Sequence, residues 1–242
     1  YMEHLPFLFG AGLLGAMMNA LAGGGSFVTL PALIAVGLPS VQANASSTVA
    51  LWPGGAASAW TYHEGRQPIC GIPMGPLLGV TLAGGLAGSL LLLWTPSSSF
   101  NVILPWLLLL ATLALAFGRR IGPALRGRLN GRRGPVALIQ FALGVYGGYF
   151  GGAVGLMMVA AWSALGEREI KKLNGPRTLL VSAANTIAVV TFALAGAVRW
   201  SETLAMLAGG LAGGIVGAKI GRAVPANVAR VATLFWTAAV TL

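Results

Sequence analysis

Asn19-Ala20-Leu21-Ala22-Gly23-Gly24-Gly25-Ser26-Phe27-Val28-Thr29-Leu30-Pro31 is the stretch that decides the fold. It lies in the middle of an apolar run, residues 5 to 37, that contains no Asp, Glu, Lys or Arg. Three consecutive glycines interrupt helix there, because glycine loses the most backbone entropy on being fixed. About 31 helical residues would reach roughly 46 Å at 1.5 Å per residue. A bilayer core is about 30 Å thick, so the run is long for one crossing and far too short for two. The sequence therefore predicts a re-entrant hairpin that enters and leaves on the same side of a membrane.

The rest of the chain fits that setting. Of 242 residues, 56% are hydrophobic and 8% are charged, against roughly 25% charged in an ordinary soluble domain. Such a composition excludes a cytosolic enzyme, a disordered tail and a disulfide scaffold, and the single Cys70 excludes a Cys-clustered metal site. What remains is an all-α polytopic membrane protein. Net charge is +10, but the basic residues sit in short connectors, so nucleic acid is not an expected partner. Residues 5 to 22 lead directly into more membrane sequence and do not read as a cleavable signal peptide.

Turn signals divide the chain further. Leu38-Pro39-Ser40 is a turn, 41–62 a span, and His63 to Gly71 a polar connector. Residues 72–94 form another span, Thr95 to Ser99 a turn, and 100–118 a third span. After a basic loop comes a second interrupted run, 135–165, broken at Gly151-Gly152-Ala153-Val154-Gly155. Spans at 173–198, 202–221 and 226–242 follow. The halves share one plan, so residues 1–118 read as a first membrane repeat, 119–134 as a basic cytoplasmic loop and 135–242 as a second repeat. A shift of 130 sets Gly25 on Gly155, Asn44 on Asn174 and Thr48 on Thr178.

Each half then has a glycine-broken re-entrant hairpin plus three transmembrane helices. Three crossings is an odd number, so the two repeats are inverted. The positive-inside rule tests this independently. With the 119–134 loop in the cytoplasm, thirteen of the fifteen Lys and Arg fall on that side. Only Arg199 is outside, and Arg177 lies within a span. Fully crossing breaks would flip the second half and move most of its charge outward. Trp60, Trp94, Trp106 and Trp200 lie near the predicted span ends, as an interfacial aromatic belt requires.

Irregular backbone at membrane depth survives only when buried in protein or lining a cavity. The helix restarts at Ser26 and near Leu156 offer free N–H groups and a positive dipole end, which suit an anion. Gly24, Gly25, Ser26, Gly152 and Gly155 are the site candidates at the two breaks; tight helix packing is the competing reading of these glycines. Gly84, Gly85, Gly88 and Gly209 to Gly217 read as packing glycines. Asn19 precedes the first break, and serves either as an anion donor or as a cap for the hairpin tip. Gln42, Asn44 and Ser47 follow in one half, and Asn174, Arg177 and Asn185 in the other. Arg177 offers a planar fork for oxyanions, with snorkelling to the interface beside Lys171 and Lys172 as the alternative.

The absences matter equally. The chain has no Asp, and its five Glu all lie at connectors or the terminus, so no carboxylate is available at depth for cation coupling. Gly10-Ala11-Gly12-Leu13-Leu14-Gly15 matches a dinucleotide fingerprint but lacks the preceding strand and the later acid. Gly24-Gly25-Ser26 suggests a serine nucleophile, yet His4 and His63 both lie at edges. No Walker motif, cofactor motif or metal-ligand cluster occurs. The sequence predicts a carrier and not an enzyme.

Asn19 to Pro31, Val36-Gly37-Leu38-Pro39 and Ala43-Asn44-Ala45-Ser46-Ser47-Thr48 together resemble the first repeat of the TauE/SafE sulfite exporter family. Gly147 to Gly155, Lys172-Leu173-Asn174 through Asn185, and Gly209 to Lys219 are similar to its second repeat, with Ala153-Val154 where the family often has further glycine. The resemblance implies a secondary transporter in a bacterial-type inner membrane that exports sulfite or an organosulfonate. The partners it implies are a small anionic substrate and the lipid bilayer, and a homodimer is compatible with it. The alternatives are import of sulfonates, carriage of another small solute, and, more remotely, a membrane enzyme or structural subunit.

Overall fold

A computed structural model describes residues 3–22, 24–61, 67–124, 133–165, 167 and 173–223. Among these the chain is helical, with one isolated β-bridge between Ile69 and Ile72. The helices are α1 (Leu5–Ala22), α2 (Ser26–Ala35), α3 (Ser40–Thr61), α4 (Met74–Trp94), α5 (Ser97–Ala124), α6 (Arg133–Tyr149), α7 (Val154–Ala164), α8 (Asn174–Leu194) and α9 (Trp200–Ala223). Both predicted interruptions are present, between α1 and α2 and between α6 and α7. Gly23, His63 to Arg66, Arg126, Arg128, Arg132, Arg168, Lys171, Lys172, Arg230 and the expected 226–242 span lie outside the described residues.

Three expectations need correction. α5 begins at Ser97, directly after Pro96, and runs to Ala124, so Arg119 and Arg120 belong to a helix. Trp106 consequently stands well inside α5, while Trp60, Trp94 and Trp200 do sit at helix ends. All four tryptophans are exposed. α7 begins at Val154, two residues earlier than expected, because Ala153 takes a left-handed conformation (φ 57°) that ends the break.

α4, the Ser97–Ala114 part of α5, and α8 are long and apolar enough to cross a membrane. α2 and α7, at 10 and 11 residues, would span only about 15 Å. Each short helix lies against the one before it. A Cβ on Gly15 of α1 would lie 2.6 Å from Thr29 Cγ2 of α2. Trp162 Nε1 of α7 donates to Gln140 Oε1 of α6 at 3.1 Å. A straight helix would hold these pairs several turns apart, so the chain folds back at both breaks.

Helix pairing is reciprocal. α1 packs on α9 and α6 on α4, while α3 meets α8 between them. Glycines form both seams. Cβ atoms on Gly209 and Gly213 would lie 1.9 and 2.0 Å from the main-chain oxygens of Phe9 and Leu13. On the other seam, those on Gly84 and Gly88 would lie 2.5 and 2.0 Å from the oxygens of Phe141 and Val145. The answering glycines also match: Gly12 meets Met206 O as Gly144 meets Thr81 O. Backbones approach this closely only where side chains are missing, which is how membrane helices gain contact without a hydrophobic driving force.

Large apolar side chains such as Phe7, Leu91, Leu110, Leu194 and Ile215 face outward, as lipid-facing positions do. Inside, one apolar cluster joins α2, α3 and α5 to Tyr149 and Phe150. A second joins the starts of α4 and α6 to α7 and α8. That second cluster encloses a polar tie in which Gln140 Nε2 donates to Thr81 Oγ1 at 2.8 Å. The Thr81 hydroxyl in turn donates to Leu77 O at 2.7 Å, so this buried amide is paired at both ends.

Candidate functional site

The first break is held by contact from three helices. Gly25 has ordinary helical dihedrals (φ −57°), so its need for glycine is spatial. A Cβ there would lie 2.7 Å from Gly15 O, 2.9 Å from the Asn19 Cβ and 3.1 Å from Leu51 Cδ1. Gly24 is buried, Ser26 half-buried and Asn19 exposed. Thr29 Oγ1 donates to Gly25 O at 3.2 Å, and Ser47 Oγ of α3 lies 2.6 Å from Thr29 Oγ1. Thr29 and Ser47 are both almost fully buried. This hydroxyl pair ties α2 to α3 next to the break.

The second break is gripped by helices from both halves. Asn44 of α3 is buried, and its Nδ2 donates to Tyr149 O at 2.8 Å. Gly151 has φ 77°, a left-handed conformation that glycine adopts without penalty. A Cβ on Gly151 would lie 3.7 Å from Asn185 Oδ1 of α8 and 3.8 Å from Thr48 Oγ1 of α3. One turn after Thr48, Trp52 Nε1 donates to the Oγ1 of Thr186, the residue next to Asn185, at 2.9 Å. Asn44, Thr48, Gly151 and Asn185 thus share one polar seam between α3 and α8. Gly152 is buried against the ring of Phe150.

The start of α7 makes a further group. It has no side-chain cap hydrogen bond, so its first N–H groups and the positive end of its dipole face the break. A Cβ on Gly155, in that first turn, would lie 3.3 Å from the Cδ of Arg177. The arginine stem therefore runs alongside the opening turn of α7. Asn174, the first residue of α8, is exposed, and its main-chain oxygen accepts from the Thr178 hydroxyl.

Gln42 lies apart from both breaks. Its Oε1 accepts from Arg199 Nε at 3.0 Å, and the Arg199 N–H donates to the buried Ser46 Oγ at 3.0 Å. This trio joins the start of α3 to the segment between α8 and α9. Thr29, Gly151, Trp52 and Arg199 were absent from the predicted set. A threonine four residues after Gly25, able to bond back to its carbonyl, was the one signal that pointed to Thr29.

At the other end of α3 and α7, Cys70 and Gly71 turn the chain between Ile69 and Ile72 with φ 49° and 74°. The Cys70 N–H donates to Glu167 Oε1 at 2.5 Å. Burial, then the Glu167 charge and its hydrogen bond, push the Cys70 thiol up to about 11.

Comparison with known proteins agrees with a transporter. The sulfite exporter TauE/SafE family matches residues 8–242. "Probable membrane transporter protein YfcA" of Escherichia coli K12 is 30% identical over 207 residues, covering 85% of this chain and 76% of that protein. A "Probable membrane transporter protein" of Haemophilus influenzae is 28% identical over 216 residues, covering 89% and 84%. One from Sinorhizobium sp, "Probable membrane transporter protein ORF9", is 26% identical over 204 residues, covering 84% and 77%. No solved structure matches. A match along nearly the whole chain, on a bundle of apolar helices with two glycine breaks, makes this a membrane transporter of the TauE/SafE sulfite exporter family.

Proposed function

We propose that the protein exports a small sulfur oxyanion, sulfite or an organosulfonate, through a site between the two helix breaks. The observation that carries this is at α7: an opening turn without a side-chain cap, with the Arg177 stem packed on Gly155 in that turn. A positive dipole end with an arginine stem alongside the same turn favours an oxyanion, which accepts hydrogen bonds and carries negative charge. Gly24, Gly25, Ser26 and Ser47 line the corresponding approach at the first break and Gly152 at the second, while Asn44 holds the second break through its bond to Tyr149 O. Asn19, Gln42 and Asn174 stand at the approaches.

The fold-back at both breaks and the reciprocal glycine seams support two inverted repeats, each a re-entrant hairpin plus three crossings. In this arrangement the basic 119–134 loop is cytoplasmic and the membrane is a bacterial-type inner membrane. A cytoplasm that is electrically negative drives an anion outward with about 2.3 kcal/mol per charge per 100 mV, nearly fifty-fold in concentration. Vesicles containing the protein and loaded with sulfite should release it faster when an interior-negative potential is imposed. Equal release at zero potential would remove the mechanism.

A further inference from the structure

The second break presents a group of acceptors with no donor to answer them. α6 ends at Tyr149, and the Phe150 and Gly151 N–H groups both turn to Tyr146 O, at 2.9 and 3.4 Å. A continuing helix would have given the Gly151 N–H to Gly147 O. The position of a Gly151 Cβ would lie 3.6 Å from Gly147 O, 3.7 Å from Asn185 Oδ1 and 3.8 Å from Thr48 Oγ1. Three oxygens, from α6, α8 and α3, therefore lie around the position that a side chain at residue 151 would fill, each at van der Waals distance from it.

The protons that might satisfy them are used elsewhere. The Thr48 hydroxyl donates to Asn44 O at 2.9 Å, so its lone pairs are what it turns toward Gly151. The Asn44 amide donates to Tyr149 O. Asn185 Oδ1 is buried and has no hydrogen-bond partner. The C-terminal end of α6 adds partial negative charge at the same place. An anion is repelled from such a group, whereas a cation is held by it.

We infer that Gly147 O, Thr48 Oγ1 and Asn185 Oδ1 bind a resident monovalent alkali cation. The ligands are hard, neutral oxygens. A divalent ion would want carboxylates, but the chain has no Asp, and no His, Cys, Asp or Glu cluster exists among the described residues. Broken helices in other transporters use the same division, with carbonyls at the C-terminal end of one half-helix for a cation and N–H groups of the next for an anion. Here the cation at the end of α6 faces the start of α7, and its charge raises anion affinity there. The cation site builds on the anion reading of α7 but is tested without the anion.

The test uses the full-length chain in lipid nanodiscs, with no sulfite present. Its melting temperature is followed as NaCl or KCl is raised, ionic strength being held with choline chloride. Saturable stabilisation by sodium or potassium is expected, and indifference to all three salts overturns the proposal. Asn185→Ala should weaken the cation affinity about tenfold, the factor for one lost ligand of hydrogen-bond strength. Asn185→Asp keeps the oxygen and adds a charge, so it should tighten cation binding, and it serves if the alanine variant does not fold. An affinity unmoved in both variants also overturns the site. Sulfite binding is then measured with and without the alkali ion, because linkage requires the cation to raise sulfite affinity by the same factor that sulfite raises cation affinity. Cation binding without any sulfite binding would overturn the anion reading alone. Sulfite binding indifferent to the cation and to Asn185 would overturn the cation site alone.

Discussion

The side-chain amide of Asn44, in α3, donates to the main-chain oxygen of Tyr149 at 2.8 Å, so a helix of one half holds the break of the other. Both groups are buried, and neither has water to fall back on. Asn44→Ala removes the donor and leaves a carbonyl unpaired, which costs about 1–3 kcal/mol. Denaturation of the purified variant should show that loss. Asn44→Asp should be at least as damaging, because an ionised carboxylate would face the Tyr149 oxygen. Stability equal to the parent in both variants would mean that the bond contributes nothing.

The glycine seams make a sharper test, because they supply their own controls. A methyl on Gly88, Gly209 or Gly213 would stand about 2 Å from a main-chain oxygen of the facing helix, so the helices must separate. Gly88→Ala and Gly213→Ala should each cost about 1–3 kcal/mol, as overpacking does. Gly75 and Gly214 lie on the same two helices with nothing within 4 Å of the added carbon. Alanine at those positions should be neutral or slightly stabilising. Thermal melts of the four variants should separate into these two pairs.

The hydroxyl pair at the first break predicts a smaller effect. Thr29 and Ser47 are 2.6 Å apart and almost fully buried. Thr29→Val keeps the shape and removes the hydroxyl that links Ser47 to Gly25 O. A loss of about 1 kcal/mol is expected from one net hydrogen bond. The double variant Thr29→Val with Ser47→Ala should cost less than the two single losses combined, because neither partner is then left alone. Additive losses in this cycle would show that the two hydroxyls act independently.

The helices and breaks were legible because glycine runs, prolines and turn residues act locally. Pro39 and Pro96 each stand just outside a helix start, at the expected turns, whereas Pro73, expected inside the 72–94 span, instead stands just before α4. The packing role expected of Gly84, Gly88 and the 209–217 run holds at Gly84, Gly88, Gly209, Gly213 and Gly217, but not at Gly214, which has nothing within 4 Å. The side-chain ties could not be read from spacing, since Asn44 finds its acceptor 105 residues away and Gln140 reaches Thr81 across 59. The single shift of 130 also misleads. It pairs Asn44 with Asn174, yet Asn44 is buried in the second turn of α3 while Asn174 is exposed at the first residue of α8. The seams match at two different intervals, one for α1 with α6 and another for α4 with α9, because the connectors between them differ in length. Composition locates glycines and polar residues, but only the folded chain decides which of them face each other.

Cys70 gives a pH-dependent prediction outside the spans. Its thiol is raised from an ordinary 9.0 to about 11, first by burial and then by Glu167. The folded chain thus favours the protonated form. That contribution to stability is fully present below the unfolded value and is lost as pH rises through about 11. Alkylation by iodoacetamide requires the thiolate, so its rate should keep climbing past pH 9 and level off only near 11. Glu167→Gln should move that plateau downward without restoring 9.0, because burial is the larger cause. A rate that levels off near 9 in the parent protein would mean that the thiol is solvated.

Orientation can be tested with single cysteines in a Cys70→Ala background. The inverted arrangement puts the turns at Leu38-Pro39, Thr95-Pro96 and Gly196 to Arg199 on one side of the membrane, and the 119–134 loop on the other. Gly37 and Gly196 both have positive φ and open space around them, so a cysteine there strains the backbone modestly without colliding. Ser98, in the first turn of α5, is exposed and avoids that strain. An impermeant maleimide added to intact cells should label Ser98→Cys and Gly196→Cys. Asn130→Cys should react only after the membrane is opened. If the broken segments crossed fully, Ser98 and Gly196 would lie on opposite sides, and only one of those two cysteines would react in intact cells. Reaction of both from outside, with Asn130→Cys protected, is the pattern that two inverted halves require.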